Sequence, residues 1–271
     1  MKLQDQLALN KKEKKALLAT NFYNYETLAA VLTAAKRLNT SLILQLSESS
    51  IHYMGLEVAK SLADSARSQF GVNAWLHLDH GQDINLIKQC IDIGFDSVMI
   101  DASEKPFEEN IKVTSEIVEY ASKKNINVEA ELGYVAKLGQ AQEMVYTQPD
   151  EAREFVERTG VNALAIAVGS AHGFYKEMPK LQLNLIEEIN NATTAALVLH
   201  GSSGIPHDQV KESIKRGITK INLATEIKNI FMKSLQQILA NNEEIDLRKV
   251  FPRATASATQ LVTEKLKMIN F

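Results

Sequence analysis

The sequence predicts an α/β fold, a (β/α)8 barrel with extra C-terminal helices, and three observations carry that expectation. Eight short apolar runs recur along the 271 residues. Longer stretches between them repeat their apolar residues at helical spacing. No linker, low-complexity tract or change of composition divides the chain, so residues 1–271 read as a single barrel domain. Alternating strands and helices give parallel sheets with crossover helices, and eight such units suit closure into a barrel. A doubly wound open sheet is the structural rival.

The elements follow in order. KALLATNF (15–22) is the first strand, and YETLAAVLTAAKRLN (25–39) a helix with apolar residues at i, i+3, i+4 and i+7. SLILQLS (41–47), AWLHLDHG (74–81) and SVMIDAS (97–103) are the second to fourth strands. PFEENIKVTSEIVEYASKKN (106–125) returns to the helical period, and NVEAELGYV (127–135) is the fifth strand. PDEAREFVERTG (149–160) opens with Pro149 and two acids and closes at Gly160, the start and stop signals of a helix. ALAIAVGS (163–170), AALVLHGSS (195–203) and KINLATE (220–226) complete the eight strands. The stretch from Glu226 to Phe271 reads as helical and lies beyond them.

Bulk properties narrow the function. A chain that is 45% hydrophobic can bury a large core. A net charge of −3 offers no basic field for nucleic acid. The single cysteine, Cys90, rules out a disulfide framework and suits a reducing cytosol. The opening MKLQDQLALNKKEKKALLATNF carries charge but no apolar core of signal-peptide length. No run approaches the roughly 20 apolar residues of a membrane span. The expectation is a cytoplasmic enzyme without nucleic-acid or membrane partners.

In a barrel of this kind the C-terminal strand ends form the floor of the active site. The polar residues there are Asn21, Ser47, Asp79 with His80, Asp101, Glu131, Ser170 with His172, His200 and Asn222. Four of the six histidines, His77, His80, His172 and His200, fall on the third, sixth and seventh strands. His80, His172 and His200 supply the ligand count of a catalytic zinc site, three protein nitrogens with an open position. A lone strand-end histidine is more often a core or surface residue, so pattern alone leaves a metal site and ordinary polar positions both open. His77 shares a strand face with Asp79 at period two and reads as a core hydrogen-bonding residue. His52 and His207 fall in helices or loops and receive no role.

LHLDHG, VEAELG, AVGSAHGFYK, LVLHGSSGIP and KINLATE stand in this order in the chain. Together they resemble the class II, metal-dependent ketose-bisphosphate aldolases, whose best-known members act on fructose and tagatose bisphosphates. The resemblance runs from NFYNYET through KINLATEIKNIF. NLATE is closer to the tagatose type, since the fructose enzymes tend to carry an acid where Ala224 stands. The resemblance implies a lyase of carbohydrate metabolism, of the glycolytic kind. It would make or cleave a ketose (bis)phosphate through a zinc-stabilised enediolate of dihydroxyacetone phosphate, with an aldehyde as the other fragment.

Carried over position by position, it makes His80, His172 and His200 the ligands of one Zn2+ per chain, and Asp79 the proton donor and acceptor beside it. Asp101 and Glu131 match carboxylates that hold a second cation or orient the ligands; satisfied core acids are the alternative. Gly173 and Lys176 match the loop holding the dihydroxyacetone-phosphate end. Gly201, Ser202 and Ser203 match a second phosphate loop. Asn222, Leu223, Ala224 and Thr225 match a third segment, with Asn222 near the reacting carbon, while Asn21 and Ser47 match pocket-lining positions. A homodimer or homotetramer is implied, with the apolar C-terminal helices as candidate interface.

The chemistry agrees with these roles. Cleaving a carbon–carbon bond beside a carbonyl leaves an enediolate, whose charge a divalent cation stabilises as a Lewis acid. A carboxylate next to a metal ligand can move the aldol hydroxyl proton. GSAHG and HGSSG let backbone N–H groups approach a phosphate, and the following helix starts add their dipoles. Ordinary βα turns are the alternative for such pairs, but LHGSSG follows the seventh strand, a frequent barrel phosphate site.

Two departures stand out. Relatives carry a glycine-rich loop after VEAELG with an acidic pair, whose glutamate moves a proton at the dihydroxyacetone-phosphate carbon. Here GYVAKLGQAQEMVYTQPDEA is shorter, and eight residues beyond Glu131 stand Gly139 and then Gln140. Glu143 is the only acid before YTQP and is the candidate replacement, a solvated loop charge being the alternative. The sequence also ends in TEKLKMINF, with no arginine evident for a second phosphate. Competing readings are therefore a relative with a changed substrate, such as a modified sugar or sugar acid phosphate, and a catalytically impaired sugar-phosphate-binding protein. A Schiff-base aldolase is disfavoured, because the sixth strand has no lysine and Lys220 only opens the eighth.

Overall fold

The computed structural model describes residues 1–133, 135, 145–173, 175, 178–240 and 242–270. Eight parallel strands are observed, seven inside their expected runs: β1 (Leu17–Asn21), β2 (Leu42–Ser47), β3 (Ala74–Gly81), β4 (Ser97–Ile100), β5 (Asn127–Leu132), β6 (Ala163–Ile166) and β7 (Ala196–Leu199), while β8 (Ile218–Leu223) starts two residues before its run. Each pairs with the next, and β8 pairs back with β1 through Leu18↔Ile221 and Ala19↔Asn222. That closing ladder excludes the open sheet. Lys220 is the third residue of β8 and does not open it, because the strand already begins at Ile218 in register with Leu197 of β7.

Helices α1 (Leu3–Glu13), α2 (Tyr25–Leu38), α3 (Glu48–Met54), α4 (Leu56–Phe70), α5 (Ile84–Ile93), α6 (Phe107–Ser122), α7 (Pro149–Thr159), α8 (Leu183–Ala192), α9 (His207–Lys215), α10 (Thr225–Leu239) and α11 (Leu247–Ile269) surround the barrel. Their ends follow local chemistry. Asn24 and Thr27 form a reciprocal capping box at the start of α2. Pro149 occupies the first turn of α7, and Gly160 ends that helix at φ 69°. His52 lies in α3 and His207 begins α9.

One helix was not expected. The opening segment forms α1, whose Leu3 and Leu7 enter the N-terminal mouth of the barrel against Trp75, Met99 and Ala163. Trp75 Nε1 also donates to the Met1 carbonyl at 3.1 Å. The C-terminal stretch forms α10 and α11, in line with the helices expected there. On α11 the apolar residues Val250, Ala254, Ala258, Val262 and Leu266 are buried within the chain, where α11 packs against α2 and α10. That stripe is consequently not available to a second subunit.

The barrel interior has two layers. At the N-terminal end it is apolar, with Ile43, Trp75, Met99, Ala165 and Val198 around the tip of α1. Toward the C-terminal end the same inward positions become polar: Gln45, His77, Asp79, Glu129, Glu131, Lys220 and Asn222 are all buried. A buried polar group costs free energy unless it is hydrogen-bonded. Seven of them at one end of a barrel require a network, and the candidate site is built on it.

Candidate metal centre and active site

Asp79 and His80 are consecutive, so a regular strand would send them to opposite faces. Two features of β3 bring both to the site. The β3–β4 register shifts between Leu78 and Gly81, and His80 has a φ of 50°. This left-handed conformation is uncommon for a residue with a Cβ. The bulge turns the His80 ring over the barrel mouth while Asp79 keeps its inward direction.

Asp79 sits among three amides. Asn21 Nδ2 donates to its Oδ2 at 3.0 Å, while Gln45 Nε2 and Asn222 Nδ2 donate to its Oδ1 at 3.0 and 3.3 Å. Burial would raise the Asp79 pKa, but the neighbouring His80, His200 and Lys220 and the Asn21 hydrogen bond hold it below the usual carboxylate value. The side-chain carbonyl oxygens of Asn21, Gln45 and Asn222 have no hydrogen-bond partner among the described residues. Each amide thus turns its N–H to the carboxylate and leaves an acceptor unmatched.

His80, His172 and His200 converge from three loops and strands. Their ring centroids lie 4.9 Å (His80–His172), 4.7 Å (His80–His200) and 5.7 Å (His172–His200) apart. Carboxylates anchor the far side of two of the rings. His80 Nδ1 donates to Asp101 Oδ2 at 2.7 Å, and His200 Nε2 donates to Glu129 Oε1 at 3.0 Å. These bonds leave His80 Nε2 and His200 Nδ1 facing one another at 3.1 Å. Two bare lone pairs there would repel, so either a proton on His80 or a metal cation lies between them. Tetrahedral nitrogen ligands of zinc at 2.0–2.1 Å stand roughly 3.3 Å apart, so the spacing fits a bound cation. The outer carboxylates match the usual support of metal-bound imidazoles.

A second group shares His80. One ligand atom each from His80, Asp101 and Glu131 lies within 4.8 Å of the others. Burial lifts the Glu131 carboxyl to about 8, with the Asp101 charge adding to it, and Glu131 Oε2 has no hydrogen-bond partner among the described residues. Burial disfavours the His80 cation, yet Asp79 and the Asp101 hydrogen bond raise its pKa to about 9. Asp101 goes the other way: burial alone would raise it, but hydrogen bonds from His80 and Ser103 hold it well below the usual range.

The remaining expected residues divide. Asn21, Gly173, Gly201, Ser203, Asn222, Ala224 and Thr225 line one cleft with Asp79, His80 and His172. Ser47 instead lines a wider cavity on the other side of His80, with Glu48, Gln82, Asp101, Ser103 and Glu131. Ser202 and Leu223 do not line the cleft. The Ser202 hydroxyl donates to the Asn222 carbonyl, and Leu223 packs into the core outside the barrel. Lys176 and Glu143, with Gly139 and Gln140, lie outside the described residues.

The cleft walls are backbone-lined and tightly joined. A Cβ on Gly201 would stand 2.3 Å from the Ala171 carbonyl, and Gly201 has a φ of 65°, so only glycine fits. Tyr175 ties the same two loops: its hydroxyl accepts from Ala171 N at 2.6 Å and donates to the Gly201 carbonyl at 2.8 Å.

Sequence reasoning passed over Gln45, Glu129, Lys220 and Tyr175. The first three were open to detection. Each is a polar residue inside a buried strand, two positions before a strand-end residue already singled out, and therefore on the same inward face.

The comparisons with known proteins agree with this geometry. The model of the family "Fructose-bisphosphate aldolase class-II" matches residues 1–271. Fructose-bisphosphate aldolase of Geobacillus stearothermophilus is 42% identical over 248 residues, covering 88% of this chain and 85% of that protein. The aldolase of Staphylococcus aureus strain Mu50 is 40% identical over 256 residues, covering 91% and 89%. Among solved structures, the YdjI aldolase of Escherichia coli K12 superposes with a TM-score of 0.89 at 31% identity, covering 99% of this chain and 96% of that one. A fructose-1,6-bisphosphate aldolase homologue from Coccidioides immitis gives 0.90 at 30% identity, with the same coverage. The match along the whole chain and the barrel geometry lead to one assignment: the chain belongs to the class II fructose-bisphosphate aldolase family, a family of aldehyde-lyases.

Proposed function

We propose that this chain cleaves and forms a ketose phosphate by a zinc-dependent aldol reaction, with dihydroxyacetone phosphate as one product. The observation that carries the reading is the set of three imidazoles beside a carboxylate held by three amides. His80, His172 and His200 are the ligands of the ion. When bound, a divalent cation supplies Lewis-acid stabilisation of the negative charge that develops on the ketose oxygens.

The chain's own groups do the rest. Asp79 takes the proton of the aldol hydroxyl on cleavage and returns it on synthesis. Asn21, Gln45 and Asn222 fix its orientation, and the unmatched carbonyl oxygens of Asn21 and Asn222, in the cleft wall, are acceptors for substrate hydroxyls. The loops at Gly173 and Gly201–Ser203, with the start of α10 at Ala224 and Thr225, offer backbone N–H groups to the phosphate. Lys176 is assigned to the same end. Asp101 and Glu131 orient the ligands, and Glu131 Oε2, which accepts no hydrogen bond among the described residues and lies 3.6 Å from His200 Nδ1, is where a second cation would enter. Glu143 is assigned to proton transfer at the dihydroxyacetone-phosphate carbon.

Lys220 is unsuited to Schiff-base chemistry, because it is fully buried and paired with Glu129 at 2.6 Å. The deciding experiment incubates the zinc-loaded protein with a panel of ketose phosphates and monitors release of dihydroxyacetone phosphate. Turnover should vanish on chelation and return with zinc. Full turnover after chelation, or a lysine adduct trapped by borohydride, would overturn the reading.

A changed aldehyde half is the second reading, and one observation favours it. Among the described residues, those lining the wider cavity include Glu48, Asp101, Glu104 and Glu131 but no lysine or arginine. Such a surface suits an aldehyde recognised through hydroxyls better than one carrying a phosphate. If so, a ketose monophosphate will show a kcat/KM equal to or above that of the bisphosphate. A strong preference for the bisphosphate would refute it. Cytoplasmic location is part of the same proposal. No helix among the described residues is long and apolar enough to cross a membrane.

A further inference from the structure

Beneath the metal centre lies a chain of buried polar groups that neither the aldol step nor phosphate binding uses. It runs His200–Glu129–Lys220–His77–Ser97, crossing the barrel from β7 through β5, β8 and β3 to β4. Glu129 Oε1 accepts from His200 Nε2 at 3.0 Å, and its Oε2 accepts from Lys220 Nζ at 2.6 Å. Lys220 Nζ also reaches His77 Nε2 at 3.2 Å, and His77 Nδ1 lies 2.7 Å from Ser97 Oγ. Glu129, Lys220, His77 and Ser97 are all fully buried.

The donor pattern is determined. An ammonium has only N–H donors, so His77 Nε2 must accept, and the His77 proton sits on Nδ1 facing Ser97. A carboxylate has only acceptors, so His200 must present an N–H at Nε2. Its Nδ1 lone pair is thereby turned to the metal site.

We propose that Lys220, acting through Glu129, is a positioning residue that decides which nitrogen of His200 faces the metal. Stability alone does not account for the pair. A fully desolvated lysine–glutamate pair is often no more stabilising than apolar residues of the same volume. What apolar residues cannot do is hold one oxygen of Glu129 on an ammonium so that the other meets the imidazole. The inference rests on the metal reading above and concerns residues outside its ligand set.

Glu129→Gln gives the sharpest contrast. With Lys220 present, the ammonium claims the amide oxygen, and the amide N–H2 faces His200. Nε2 must then accept, and the imidazole proton moves to Nδ1, on the metal face. Removing the lysine as well, in Glu129→Gln/Lys220→Met, frees the amide oxygen to turn back to His200.

The test measures zinc affinity by competition with a chromophoric chelator, the visible spectrum of the Co2+-loaded protein, and the thermal midpoint without added metal. Glu129→Gln and Lys220→Met should each weaken zinc binding by about 10- to 100-fold and alter the Co2+ spectrum. The double variant should bind zinc more tightly than Glu129→Gln and recover the wild-type spectrum. A purely structural pair would lower the thermal midpoint and leave the Co2+ spectrum of the folded variants unchanged, which would overturn the inference. So would a double variant that binds zinc more weakly than either single one. If Lys220→Met fails to fold, the near-isosteric Glu129→Gln and the double variant decide the question. A wild-type chain that binds no zinc would remove the metal reading itself, a result distinct from normal wild-type binding with unaffected variants.

Discussion

Replacing Asp79 with asparagine separates proton transfer from metal binding. The change keeps the shape of the side chain and removes its charge. Asp79 accepts three amide hydrogen bonds, from Asn21, Gln45 and Asn222. An asparagine has one oxygen for them, and its own N–H2 must meet an acceptor. One is at hand, because the Asn21 side-chain oxygen has no hydrogen-bond partner among the described residues and a flip of that amide presents it. The fold therefore loses charge-assisted hydrogen bonds of about 1.5–3 kcal/mol each but regains neutral ones of about 1 kcal/mol. It also no longer buries a carboxylate. Stability should stay within about 2 kcal/mol of wild type.

Catalysis should respond differently. Loss of a general acid or base typically costs 10²- to 10⁴-fold, roughly 2.7–5.4 kcal/mol of barrier. Zinc should remain, because the candidate ligand atoms belong to His80, His172 and His200. The assay pairs the rate of aldehyde release with metal content per chain, alongside a denaturation curve. Near-normal cleavage would remove Asp79 from the mechanism. Zinc lost in proportion to activity would make Asp79 a ligand and refute the division of labour.

Four further outcomes are expected. His172→Ala and His200→Ala should lose both bound zinc and turnover in a protein that still melts cooperatively; retention of stoichiometric zinc by either would remove that histidine from the ligand set. Tyr175→Phe unties the loops at Ala171 and Gly201, at about 0.5–1.5 kcal/mol for each of two hydrogen bonds, and steady-state kinetics should report a raised KM for the sugar phosphate with kcat less affected. Glu143→Ala should slow exchange of the dihydroxyacetone-phosphate proton with heavy water while aldehyde release stays normal; fast exchange in this variant would assign the step to another group. Burial, with the Glu48 charge adding, pushes the Cys90 thiol up to about 12, so at neutral pH it should react with a disulfide reagent only as fast as the chain opens, and rapid labelling of the native protein would contradict its burial.

The barrel was legible because its evidence is distributed. Each of the eight runs is a short apolar stretch bounded by turns, and all but the eighth, whose strand starts two residues early at Ile218, hold a strand within the expected limits. Helix α1 was not legible, and the reason is physical. Apart from Leu3 and Leu7 its inward face has little apolar material, and its hydrophobic partners are Trp75, Met99 and the small residues Ala163 and Ala165 from distant strands. Nothing near residues 3–13 announces that contact. The C-terminal segment was legible as helices but not the point where α10 gives way to α11, since Asp246 caps the new helix inside a stretch that otherwise keeps helical composition.

The site was legible one layer deep. Reading the polar residue at each strand end located Asp79, His80, Asp101, Glu131, His200 and Asn222, all of which the fold brings to one mouth. It stopped short of Gln45, Glu129 and Lys220, which are invisible to a rule that looks only at the last residue of a strand. Period two makes them predictable in retrospect: a residue two positions back points the same way, and the barrel is too narrow for its polar groups to avoid one another. The pair Asp79–His80 is the opposite case. Regular alternation would separate these neighbours, and only the bulge and the left-handed φ of His80 bring them together. Such backbone strain is usually found where surrounding structure over-determines it. Here the surrounding structure is the network itself. Three amides hold Asp79 on one side of the bulge and Asp101 holds the His80 ring on the other. The polar layer that sequence reasoning saw only at its rim is therefore what keeps Asp79 and His80 adjacent at the barrel mouth.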